Sequence, residues 1–222
     1  MKMGKSNGEA TGWRSYRLFY NQFRQHFIAT GAIAPSGPPL AHAITTPLAR
    51  PRRERVSVLE VGAGTGAFTA AILKLLQPGD TLDVYEINPA FQTTLEARLE
   101  RSGARARGVT CTLHMVGICQ APPENLYDFI ISALPFNNFP ASEVERILAL
   151  LMSHLRANGV LSYFEYPYLR QLKQLLVQNP AERARLQAVG QVVGSFLHLH
   201  PNRTTAVPLN LPPAVARHVR PA

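Results

Sequence analysis

The chain is predicted to be an α/β protein built on a mostly parallel, seven-stranded sheet, and three features carry that prediction. Strand-like and helix-like segments alternate through the middle of the sequence, the pattern of helices packed on a parallel sheet. A glycine-rich turn, Gly62-Ala63-Gly64-Thr65-Gly66, joins an apolar β-branched run to a segment with helical spacing. The tail then offers two more extended runs, Gln191 to His200 and Arg203 to Leu209, parted by Pro201-Asn202. These read as an antiparallel hairpin that closes the sheet.

Taken in order, residues 1–11 are small and polar and read as a disordered leader. A helical pattern follows over 12–30, and prolines 35, 38 and 39 predict an irregular turn before a short helix near 40–49. Residues 12–50 thus form a helical segment ahead of the core, which spans 51–222 and opens on the basic connector Arg50-Pro51-Arg52-Arg53-Glu54-Arg55. Strands are predicted near 56–61, 81–86, 109–115, 127–133 and 159–166. Helices are predicted near 66–77, 89–102, 141–156 and 168–187, and there is no internal repeat.

The 222 residues fit one catalytic domain, and 46% hydrophobic content suffices for a core of ordinary size. A formal charge of +9 points to an anionic partner: nucleic acid, an acidic lipid surface or a phosphorylated small molecule. Cys111 and Cys119 have no second pair, so no zinc site or disulfide framework is expected, and a reducing cytoplasm is the simplest setting. No apolar run approaches the roughly 20 residues of a membrane-spanning helix, so any membrane contact is expected to be peripheral.

The chemistry concentrates at the glycine turn. Glycines there let backbone approach a ligand closely. The turn is one residue shorter than the dinucleotide fingerprint, and Glu60 sits just before it, where a carboxylate suits a cationic ligand better than a pyrophosphate. The second strand ends in Glu86, about 20 residues beyond the last glycine, where an acid accepts both hydroxyls of a ribose. This turn, the acid-terminated strand and Ile87-Asn88-Pro89 together resemble the class I Rossmann-like methyltransferases. The resemblance implies S-adenosylmethionine as donor and S-adenosylhomocysteine as product. It places Glu60, Gly62, Gly64, Thr65, Gly66, Glu86 and Ile87 around the donor, with Ile118 and Ser132. The family usually carries an acid after the third strand to hold the adenine amino group. Here the run is Val116-Gly117-Ile118-Cys119, so adenine is expected to rest on backbone groups and apolar stacking.

The fourth strand runs into Ser132-Ala133-Leu134-Pro135-Phe136-Asn137. This loop is similar to the acceptor loop of methyltransferases acting on amines, which implies that Ser132, Leu134 and Phe136 flank the nitrogen. An aromatic face also favours a cationic centre. The wording of the loop is closest to two subfamilies, the bacterial phospholipid N-methyltransferases and the ribosomal RNA adenine dimethyltransferases. Gly31-Ala32-Ile33-Ala34-Pro35-Ser36 and Asn210-Leu211-Pro212-Pro213-Ala214 resemble segments of the lipid family. The lead-in and the terminal helical domain of the RNA enzymes are not visible. The resemblance therefore implies an enzyme that methylates the amine of an aminophospholipid, phosphatidylethanolamine towards phosphatidylcholine. Ornithine lipid and RNA adenine remain the alternatives, and a catalytically silent binding module is a third.

On a helical wheel Trp13, Tyr16, Phe19, Tyr20, Phe23 and Phe27 fall within an arc of about 120°, flanked by Arg14, Arg17 and Arg24. Such a helix suits a bilayer interface, with arginines at anionic phosphates, and equally suits an amphipathic lid over the donor pocket. The expected partners are a phospholipid substrate and an anionic membrane surface, without DNA, for a monomer peripherally bound at the cytoplasmic membrane. A tyrosine is expected to relay the amine proton, with Tyr16, Tyr20 and Tyr166 as candidates, and with Tyr163 beside Tyr166. Glu165 is a candidate for stabilising a cationic acceptor. Ser36, Asn137 and Arg203 are candidates for substrate binding, Arg203 through a phosphate.

Overall fold

The computed structural model describes residues 37–167 and 179–222. Helix α1, Pro38–Thr45, is followed by strand β1, Ser57–Val61, and helix α2, Ala67–Leu75. Strand β2, Thr81–Tyr85, leads through a short 3-10 turn into α3, Gln92–Arg101, and then β3, Thr110–His114. Next come β4, Tyr127–Ser132, α4, Ala141–Ser153, and the long β5, Leu155–Glu165. Helix α5, Pro180–Leu199, precedes β6, Asn202–Val207, and β7, Ala214–Val219.

All seven strands form one sheet in the order β3-β2-β1-β4-β5-β7-β6. The first five are mutually parallel, and β7 runs antiparallel to both β5 and β6. Right-handed crossovers decide where the helices go. The chain steps outward from β1 to β2 and β3, then returns to the other side of β1 to place β4 and β5, so helices cover both faces. Strand order reverses between β1 and β4, and in such sheets a ligand crevice opens beyond the carboxyl ends of those two strands. Val58 to Val61 are buried without a break, as expected of a central parallel strand covered on both faces. The core on the α1, α2 and α3 side is built from Leu40, Ile44, Phe68, Ile72, Leu95 and Leu99. Phe164 of β5 joins it edge-on to Phe68, with ring centroids 5.8 Å apart.

Three details differ from the sequence expectation. Pro38 begins α1 instead of preceding it, because the first helical turn has no partner for the amide that proline lacks. Gln191 to His200 is helical up to Leu199. Its valines and phenylalanine read as a strand, yet Leu186, Val189 and Val193 recur at helical spacing and are the buried residues of α5. The antiparallel hairpin therefore lies further on, as β6 and β7, joined through residues 208–213. The expected helix over 168–187 is interrupted, since α5 starts afresh at Pro180 where the Asn179 side chain accepts from the Ala181 amide at 3.0 Å. The leader, the aromatic helix over 12–30 and residues 168–178 lie outside the described residues. Among those described, no helix is long and apolar enough to cross a membrane.

Candidate active site

The glycine turn leaves the end of β1 at the predicted crevice. The Gly62 amide donates to the Tyr85 carbonyl at 2.8 Å, which pins the turn to β2. Gly62 has φ +76°, and a Cβ there would fall 2.8 Å from Leu134 Cδ2, so this glycine faces protein. Gly64 has φ +56°, and a Cβ there would meet nothing within 4 Å among the described residues. Among those residues it is the open side of the cradle. Gly66 closes the turn and caps α2, whose first amides point back towards it.

Beneath the turn lies Glu60, fully buried, with neither carboxyl oxygen in a hydrogen bond of ordinary geometry. The Thr69 hydroxyl and amide face it from the first turn of α2, and Arg98 and Glu86 act on it through their charges. Burial dominates and pushes its pKa up to about 7. Glu60 has no exposed surface and lies directly beneath the turn.

Glu86 is also buried, yet it is well served. Its Oε2 accepts from the Gly64 amide and its Oε1 from the Asn88 amide, both at 2.8 Å. The carboxylate thus ties the tip of β2 to the glycine turn. A carboxylate offers about four acceptor positions, so two backbone bonds leave room for a diol. Ile87 projects from the next position, its Cδ1 3.7 Å from where a Cβ on Gly117 would stand. Ile87 and the loop at Gly117 are therefore packed side by side. Ile118 occupies a 3-10 turn with its side chain buried, contributing backbone to this place while its side chain fills the interior. Thr65 is exposed on the turn.

The acceptor loop begins at Ser132, whose buried hydroxyl lies 3.4 Å from the Leu134 amide. Leu134 packs on Gly62, so the loop and the glycine turn are in direct contact. Phe136 is buried, with its ring centroid 5.3 Å from that of Tyr163 on β5. Tyr166 stands just past the end of β5, half-buried against Phe164. Glu165 accepts from Arg217 Nε at 2.9 Å, so its charge is already matched. Asn137 enters through its carbonyl, which accepts from Arg185 Nη1 at 2.9 Å, and Phe139 accepts from the same nitrogen at 2.9 Å. The rest of the Arg185 guanidinium is held by both oxygens of Glu182, one turn earlier on α5. Reading the sequence alone overlooks Arg185. Its signal is the Glu182/Arg185 pair on one helix face, which resembles any solvated ion pair until the fold brings the loop to it. Arg203 is not at this loop: it sits on edge strand β6, paired in register with His218.

The sequence pattern of a methyltransferase domain matches residues 58–159, from β1 to the middle of β5. An ornithine lipid N-methyltransferase from Singulisphaera acidiphila is 31% identical over 150 residues, covering 65% of this chain and 73% of that protein. The chain belongs to the class I S-adenosylmethionine-dependent methyltransferases. The O-methyltransferase of Bacillus cereus, solved with S-adenosylhomocysteine, matches with a TM-score of 0.60 at 13% identity, over 91% of this chain and 90% of its own. The tomaymycin-synthesis O-methyltransferase of Streptomyces achromogenes, solved with S-adenosylmethionine, matches with 0.59 at 12%, over 100% and 93%. At such identities these two establish the fold.

In this methyltransferase the glycine turn, Glu86, Ile87, the Gly117 loop and the Leu134 loop all gather at the carboxyl ends of β1, β2, β3 and β4. Tyr16 and Tyr20, Ser36, and the interfacial set Trp13, Arg14, Arg17, Phe19, Phe23, Arg24 and Phe27 lie outside the described residues.

Proposed function

We propose that this methyltransferase transfers methyl groups to the amine nitrogen of an amino-lipid headgroup at an anionic membrane surface. Phosphatidylethanolamine is the expected substrate and ornithine lipid its competitor. The observation that carries this reading is the relation to a lipid N-methyltransferase over most of both chains. The Leu134-Pro135-Phe136 loop beside the glycine turn is consistent with it.

The cradle fits the donor of its family. Gly62, Gly64, Thr65 and Gly66 offer backbone and an open face at Gly64. Glu86 keeps acceptor capacity for two ribose hydroxyls, and Ile87 with the backbone at Gly117 and Ile118 offers an apolar slot for adenine. When ionised, Glu60, whose pKa is raised to about 7, supplies negative charge under the turn for the cationic part of the ligand. When bound, S-adenosylmethionine supplies an electrophilic methyl on a sulfonium.

What the protein must then do is align a nitrogen lone pair with that methyl and keep water out. Leu134 and Phe136, buried against Gly62 and Tyr163, form with the half-buried Pro135 between them an apolar wall for the second task. Arg185 holds the loop from behind through two carbonyls, so the first task does not depend on a mobile segment. A primary ammonium must lose a proton before its lone pair is free. Tyr166, at the sheet edge next to the loop, is the proposed relay among the described residues, since Glu165 is committed to Arg217.

The test offers methyl-labelled donor with vesicles containing phosphatidylethanolamine, ornithine lipid or only phosphatidylglycerol, and separately with unmethylated ribosomal RNA. Label in the extracted amino-lipid is the expected result. Label in RNA alone overturns the proposal.

A further inference from the structure

A second cavity, of about 370 Å³, lies away from the glycine turn, between the connector at residues 46–52 and the strands β4, β5, β7 and β6. Phe129 of β4 and Val160 of β5, paired in register, give it an apolar floor. Its charged lining is of one sign. Arg50, Arg203 and Arg220 reach it, and none of the described residues lining it is acidic. Arg52 is also there but is occupied, bound to Asp80 and to the carbonyls of Leu48 and Leu75. That clamp fixes the connector and so fixes where Arg50 emerges. Arg50, Arg203 and Arg220 carry no ion pair and no side-chain hydrogen bond among the described residues.

The fourth member is His218. It lies in the ladder between Ser162 and Arg203, only 7% exposed. Its Nδ1 is 2.9 Å from the Ser162 hydroxyl, and its Nε2 is buried without a partner. Burial beside Arg203 and Arg50 lowers its pKa to about 4, so the ring is neutral at physiological pH. With Ser162 donating to Nδ1, the ring proton sits on Nε2 as an unmet donor. A buried donor without an acceptor is costly, and three guanidinium groups around one cavity repel each other. A single multivalent oxyanion relieves both.

We infer that this pocket binds a phosphate group, held by Arg50, Arg203 and Arg220 with His218 Nε2 as an inner donor. Three guanidinium groups exceed what one carboxylate neutralises, whereas a phosphate offers the charge and the several oxygens that forked donors use. The phosphate belongs either to a lipid headgroup or to a soluble compound. The site is separate from the crevice of the methyl donor and stands whether or not the amino-lipid reading holds.

The test uses the full chain in two arms at constant ionic strength, with no methyl donor. Inorganic phosphate is titrated by calorimetry, and vesicles of phosphatidylglycerol in phosphatidylcholine are sedimented. Arg203→Gln, Arg220→Gln and, as a charge-matched control on α3, Arg101→Gln are compared with the unaltered protein. Saturable binding that weakens about tenfold in the first two variants and not in the control is expected. A loss confined to the vesicle arm assigns the phosphate to a lipid, and one confined to the inorganic arm assigns it to a soluble ligand. Equal loss in all three variants, or none in Arg203→Gln and Arg220→Gln, overturns the proposal. Circular dichroism of each variant separates lost binding from lost folding.

Discussion

Two buried carboxylates one strand apart behave oppositely, and the difference lies in their partners. Glu86 accepts two backbone amides at 2.8 Å, whereas Glu60 accepts none of ordinary geometry and is pushed up to about 7. Its pKa is raised above the unfolded value of 4.5, so the folded chain holds a proton that the unfolded chain has released. The associated stability is present in full below pH 4.5 and is lost as pH rises through 7, a change on the order of 3 kcal/mol. Urea denaturation of the donor-free protein between pH 5 and 8 should therefore show falling stability, and Glu60→Gln should flatten that profile. Glu86→Ala should abolish donor binding in calorimetry. The fold should survive, because Gly62 remains pinned to Tyr85, and unchanged affinity would remove Glu86 from the site.

At the scale of elements, the loop after β4 is positioned by a helix distant in sequence. Arg185→Ala removes the donor to the Asn137 and Phe139 carbonyls. It should lower kcat/KM by roughly ten- to a hundredfold while leaving donor affinity unchanged, since it loosens the acceptor side alone. A parallel fall in donor affinity would show that the helix supports the whole crevice instead. Sequence pattern exposed the glycine turn, Glu86 and the five parallel strands because each is local: a run of apolar residues, a turn, an acid at a strand end. It did not expose Arg185, and of the His218 pocket it singled out Arg203 alone, because the members lie far apart in the chain and meet only across the sheet. It misplaced the closing hairpin because Val192, Val193 and Phe196 are β-formers locally, while Leu186, Val189 and Val193 bury one helical stripe.

For the molecule as a whole, charge and architecture divide the labour. A chain of +9 keeps arginines without ion pairs among the described residues at the β6 and β7 side of the sheet, while the methyl chemistry is assigned to the ends of β1 and β4. If the aromatic arc with Arg14, Arg17 and Arg24 works at a membrane interface, deleting residues 1–28 should abolish sedimentation with anionic vesicles. Retained binding would move the membrane contact elsewhere. The strand order also governs how the chain can be made. Because β7 lies between β5 and β6, β6 has no place in the sheet until residues 214–219 leave the ribosome. Throughout synthesis of α5 and β6, β5 keeps a bare edge of unpaired amides and carbonyls, the kind of edge that invites pairing between chains. Completion of the sheet thus waits on β7, and nascent chains are most vulnerable to aggregation just before it is made.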